Sequence, residues 1–136
     1  TGCLVLDQAE PEVHISADNI LKATGMAEAL LGRPAQAIPH FESGTRLTPS
    51  NAEAWNNLGQ ACLDAAQMDK AREALDRALA LEPNRLLALR SAARLYWQIE
   101  EFPNALKMLE KLHELEPQNP ELNRWIHQPK QKIAAN

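Results

Sequence analysis

The sequence predicts an all-α chain, a right-handed solenoid of three stacked helix pairs closed by a C-terminal capping helix. Three observations carry that prediction. Alanine and leucine dominate, aromatic residues are few and glycine occurs only five times, a balance that favours helix over sheet. Apolar residues recur at intervals of three and four, the spacing of one helical face. One short phrase also returns at a fixed interval: LTPSN at 47–51, LEPNR at 81–85 and LEPQN at 115–119 place Pro49, Pro83 and Pro117 34 residues apart, twice over. A period of that length marks one supersecondary unit stacked on itself, because such a unit cannot bury its apolar face alone.

Residues 1–17 read as an extended or disordered lead-in. Counted back one period, the small-residue, large-apolar and proline columns would hold Cys3, Asp7 and Ile15. Pro11 would fall late in a helix, at a cost of about 3 kcal/mol. Three units follow, 18–51, 52–85 and 86–119. Gly25, Gly59 and Ala93 share one column, and Ala37, Ala71 and Ala105 another. Large apolar residues align as Phe41, Leu75 and Leu109, and as Leu47, Leu81 and Leu115. Within each unit the pattern predicts two helices, at about 18–31 and 35–48, 52–65 and 69–82, and 86–99 and 103–116. Two helices joined by about three residues pack antiparallel, and a close crossing needs small side chains, here Gly59 and Ala71.

Boundary chemistry agrees with these limits. Ser50-x-x-Glu53 reads as a capping box, Asn119-Pro120 puts a capping side chain before a proline at the first helical position, and Gly32 with Pro34 breaks the first unit between its helices. Each repeat-ending proline stops a helix and sets the angle to the next pair. Residues 120–136 read as a capping helix and tail: a helix at about 120–128, with Trp125 as the residue covering the last repeat or, as the alternative, a contact to a partner, and Pro129 stopping or kinking it.

The columns resemble the tetratricopeptide repeat, whose pattern has Trp, Leu, Gly and Tyr in its first helix and Ala, Phe, Ala and Pro in its second. Trp55, Leu58, Gly59, Ala71, Ala78 and Pro83 match in the middle unit, with Cys62 for the usual Tyr and Leu75 for the usual Phe. The third unit supplies Tyr96, Ala105 and Pro117 but has Ala92 and Ala93 at the Leu and Gly columns. The first supplies Gly25, Ala37, Phe41 and Pro49, with Thr24 for the Leu and Gly44 for the second Ala. The resemblance covers 102 of 136 residues.

A net charge of −4 argues against nucleic acid, which needs a basic field to displace counterions. No apolar run approaches the 18 residues of a membrane-spanning helix. Cys3 and Cys62 form neither a disulfide framework nor a CxxC motif. The four histidines are scattered without HExxH spacing, and no glycine loop cradles a phosphate. Cys62 stands in an inward column and reads as a small core residue rather than a nucleophile. Neither catalysis nor a cofactor or metal is expected. Thr1-Gly2-Cys3 resembles the end of a bacterial lipoprotein cleavage motif, in which the Cys is lipidated. The two settings are therefore a cytoplasmic protein and, if Cys3 carries lipid, one anchored on the periplasmic side of a membrane beside an envelope assembly.

The family resemblance implies a concave groove lined by the first helix of each repeat. Its columns hold Lys22 in the first unit, Asn56, Asn57, Gln60 and Asp64 in the second, and Arg90, Arg94 and Trp97 in the third. Arg90, Arg94 and Trp97 fall on one helical stripe, where like charges four apart repel by a few tenths of a kcal/mol unless an anion compensates. The anion is either a ligand carboxylate, gripped by guanidinium forks beside an indole, or Asp64 of the preceding repeat. Asn57 offers both donor and acceptor to an extended backbone. Family members that bind acidic chaperone tails use Lys, Asn, Asn, Lys and Arg; Lys22 and Asn57 match, but Met26, Leu87 and Ser91 occupy the other three positions. The expected partner is therefore a different extended or acidic segment of a protein, held by a non-catalytic scaffold. The alternative is self-association into a homo-oligomer.

Overall fold

The computed structural model describes residues 17–135, and they form seven helices. These are α1 (Ala17–Leu30), α2 (Pro34–Leu47), α3 (Ala52–Asp64), α4 (Met68–Leu81), α5 (Leu86–Gln98), α6 (Phe102–Leu115) and α7 (Pro120–Ala135). Cys3 and the lead-in through Ser16 lie outside the described residues, and Ala17 already opens α1. Each helix packs on its sequence neighbour, and α3 also packs directly on α5. The result is three helical hairpins stacked in order, with α7 closing the end. Among the described residues no helix is long and apolar enough to cross a membrane.

The core follows the columns. Ala37, Phe41, Leu58, Cys62, Ala71 and Leu75 belong to one buried cluster that reaches Leu95 of the third hairpin. Leu89, Ala93, Leu109, Leu112 and Leu122 form a second. A Cβ built on Gly25 would stand 2.7 Å from the Phe41 ring, and one on Gly59 2.7 Å from Leu75 Cγ. The glycine column is therefore small because the large-apolar column of the facing helix presses into it. The close partner of Gly59 is thus Leu75, one helical turn beyond the expected Ala71.

All three hairpin turns share one geometry. The Ala66 amide donates to the Leu63 carbonyl (3.0 Å) and the Gln67 amide to that of Cys62 (2.8 Å), the two bonds of a Schellman cap. The same pair recurs at Gly32–Arg33 and at Glu100–Glu101. Gly32, Ala66 and Glu100, 34 residues apart, have φ of 75°, 61° and 61°. A left-handed backbone disfavours any side chain by roughly 1–2 kcal/mol, partly offset by the greater unfolded-state freedom of glycine. Ala66→Gly and Glu100→Gly are each expected to stabilise the chain by about 0.5–1 kcal/mol, raising the melting temperature by about 2–4 °C. A fall in the calorimetric midpoint of either variant would contradict this reading.

The inter-repeat turns also repeat. The carbonyls of Thr48, Glu82 and Glu116 accept from the amides of Asn51, Arg85 and Asn119, with the proline at the second turn position, where its fixed φ fits. The Trp55 indole donates to the Pro49 carbonyl at 2.8 Å, tying the second hairpin to the turn before it. The cap of α3 is Asn51, not Ser50: its Oδ1 accepts from the Glu53 amide at 3.0 Å, so Ser50 lies one residue too early for a capping box. Asn119 caps α7 in the same way, accepting from Glu121 at 3.1 Å.

The last helix departs from its expected end near 128 and from its expected covering residue. α7 does not stop at Pro129 but runs through it to Ala135; Pro129 is buried, and burial of its ring offsets part of the lost hydrogen bond. The residue that seals the last repeat is Leu122, 0 % exposed, whereas Trp125 is 38 % exposed. Leu122 meets Leu109 and Leu112 in the second cluster, and Trp125 lies one turn round the helix, toward the groove.

Candidate functional site

α1, α3 and α5 present their inner faces to one side, and ion pairs run along it. Lys22 of α1 pairs with Glu53 of α3. Arg94 of α5 meets Asp64 of α3 at 2.8 Å. Arg90 reaches Glu116, in the turn before α7, at 3.1 Å. Asp64 thus takes the compensating role anticipated for it, and Glu116 is a second internal anion that sequence spacing did not indicate. The Asn119 amide, with Arg90 second, holds the Glu116 carboxyl below the usual carboxylate range. All of these side chains are at least one quarter exposed, and exposed pairs contribute about 0–1 kcal/mol each.

The eight expected groove residues do not all share one environment. Asn57 and Gln60 line one cleft, together with Asp64. Arg94 and Trp97 line another, where the Trp97 ring meets Phe102 edge-to-face at 5.1 Å. Asn56 points inward instead: it is 1 % exposed, and its buried Oδ1 has no hydrogen-bond partner. Of the other clamp-equivalent positions, Ser91 is buried, while Leu87 and Met26 are exposed.

The first cleft, about 250 Å³, lies between α1 and α3 over Phe41. The second, about 350 Å³, lies between α5 and α7 over Leu109, and Trp125 and Gln128 complete its wall. Gln128 was missed as a groove residue, and Trp125 was read first as the cover of the last repeat and only second as a partner contact, because α7 was read as a lid rather than as a fourth inner helix. The signal was present: counted in periods of 34, Trp125 stands where Asn57 does and Gln128 where Gln60 does. Arg124, one period after Arg90, is exposed and has no ion-pair partner among the described residues.

Among the described residues no group of histidine, cysteine and carboxylate side chains is placed to hold a metal. Cys62 is fully buried, and that burial pushes its thiol up to about 11. The thiolate needed for reaction is therefore scarce at neutral pH. Cys62 is expected to resist a disulfide reagent in the folded protein at pH 7 and to react within seconds in denaturant; equal rates in both states would contradict its place in the core.

Residues 23–85 match a family model described as tetratricopeptide repeat. No curated protein matches the sequence. Among solved structures, the fold is similar to the first such domain of Spaghetti (RPAP3), bound to the HSP90 peptide SRMEEVD. That match has a TM-score of 0.82 and 22% identity over 90% of this chain and 99% of the other. It is similar also to the Sgt2 domain from Aspergillus fumigatus (TM-score 0.79, 21% identity, 92% and 85% covered). A third match is the second domain of human RPAP3, in complex with the HSP70 peptide SGPTIEEVD (TM-score 0.75, 20% identity, 81% and 92% covered).

Proposed function

We propose that this tetratricopeptide-repeat chain is a non-catalytic scaffold holding an extended, acidic segment of a partner protein in its concave groove. The observation that carries this reading is the state of Arg90 and Arg94. Both stand on the inner face, and both are neutralised only through exposed pairs with Glu116 and Asp64. A ligand carboxylate can replace either internal partner at little net cost, because such pairs are individually weak while a guanidinium fork on carboxylate is geometrically specific. Asn57 and Gln60 add amides for the backbone of the segment, and Trp97 adds an apolar surface. The peptide complexes of the two RPAP3 domains support peptide binding by a chain of this fold. Met26, Leu87 and Ser91 leave the chaperone-tail clamp incomplete, so a different acidic sequence is proposed. The test is capture of partners on the native protein beside Arg90→Ala/Arg94→Ala, with melting curves of both. Loss of capture at an unchanged melting temperature is expected; retained capture would move the partner to another surface.

Self-association is the second reading, favoured by the exposed Leu30 and Leu31 at the end of α1. Light scattering across concentration separates the two, since a scaffold stays monomeric and an assembly module does not. An envelope setting rests on Thr1-Gly2-Cys3 alone; a diacylglyceryl mass on Cys3 of the protein isolated from cells would support it.

A further inference from the structure

We infer that the groove grips its partner segment through two bulky apolar side chains about six residues apart, with a carboxylate between them. This rests on the groove reading above and adds the spacing and chemistry of the partner. The two clefts are one site used twice. Their floors are Phe41 and Leu109, and their walls pair Asn57 with Trp125 and Gln60 with Gln128; every pair is separated by 68 residues, two full periods.

In the repeat between them the equivalent position is filled. Ala29 and Trp97 line the outer clefts, while Leu63, in the same column of the middle unit, is buried. There α3 packs directly on α5 beneath the Asp64–Arg94 pair, whereas α1 and α3, joined by the Lys22–Glu53 pair, and α5 and α7 have sparse direct contacts. The inner helices therefore touch in the middle and part on either side. The first cleft offers Met26, Ala29 and Leu30 and the second Trp97 and Trp125, so both take apolar side chains.

The distance between the clefts sets the spacing. Packed helices lie roughly 8–10 Å apart, so two helix steps separate the clefts by roughly 20 Å. An extended chain advances roughly 3.3 Å per residue, which makes the span about six residues. A helical ligand advances only about 1.5 Å per residue and would need about 13 residues to cover the same span. Arg94, on the wall of the second cleft, reaches across to Asp64 on the wall of the first, and Arg90 stands one turn before it on α5, so a carboxylate in the intervening segment meets two guanidinium groups.

The test uses fluorescein-labelled 16-residue peptides of aspartate, serine and glycine carrying two leucines separated by two to thirteen residues, read by fluorescence anisotropy. Affinity is expected to peak at separations of five to seven, at least tenfold above separations of two or ten and above a single leucine. Trp97→Ala, and Met26→Glu at an exposed position, should each reduce the best peptide to the single-leucine value. Equal affinity at all separations, a peak near thirteen, or no binding by any member would overturn the inference. Repeating the series on Arg90→Ala/Arg94→Ala separates it from the groove reading. A weaker but still peaked series supports both, and a peaked series of unchanged affinity keeps the anchors and removes the arginines. A parent series that is flat, and uniformly weaker in the variant, overturns the anchors alone.

Discussion

Replacing Leu75 by alanine is expected to lower the free energy of unfolding by about 2–5 kcal/mol, toward the upper end of that range. Leu75 is 1 % exposed and sits in the cluster that joins all three hairpins. It faces a glycine: a Cβ on Gly59 would meet its Cγ at 2.7 Å. The cavity left by the substitution has no side chain opposite that can move in, and the middle repeat is the one through which the outer two are coupled. The same geometry predicts a reversal of sign. In the parent protein Gly59→Ala overpacks the crossing at about 1–3 kcal/mol, against a gain of roughly 1 kcal/mol in helix propensity. In the Leu75→Ala background the clash disappears and Gly59→Ala becomes stabilising. Urea midpoints of the four proteins measure this coupling; equal effects of Gly59→Ala in both backgrounds would contradict the packing described.

The second large effect concerns binding. Arg90→Ala/Arg94→Ala is expected to weaken a groove-bound acidic segment by roughly 30–100-fold, about 2–3 kcal/mol. Hydrogen bonds to charged groups contribute roughly 1.5–3 kcal/mol each, and the exchange for the existing partners Glu116 and Asp64 subtracts a part of that. Folding stability should change by less than about 1 kcal/mol, because the lost pairs are exposed and removing two cations four residues apart relieves a small repulsion. Raising salt from low to high ionic strength should weaken the parent protein's binding more than the variant's. Titration calorimetry at two salt concentrations checks both points.

Much of the fold was legible because the repeat's constraints are local. Pro49, Pro83 and Pro117 end helices by covalent geometry, and Gly25 and Gly59 record crossings with no room for a side chain. What escaped depended on the stack. The left-handed turn was visible at Gly32 but not at Ala66 or Glu100, where the tertiary arrangement imposes the backbone on residues that do not announce it. Leu122, Trp125 and Ile126 share one apolar edge, and only the position of α6 decides that Leu122 seals the core and Trp125 turns to the groove. Asn56 shares a column with Lys22 and Arg90, yet it is buried in the middle repeat, where both neighbours press closest. Glu116 found Arg90 across 26 residues, a pairing without a sequence signal.

The three tryptophans provide the most direct test. Trp97 and Trp125 line the groove cleft, while Trp55 lies on the outer side with α2 and α4, its indole donating to Pro49 and Arg77 over its ring. In a nitrogen-15 NMR titration with the acidic peptide carrying leucines six residues apart, the Trp97 and Trp125 indole resonances should move together while that of Trp55 stays fixed. Movement of Trp55 alone, or of none of the three at saturating peptide, would contradict binding in the concave groove.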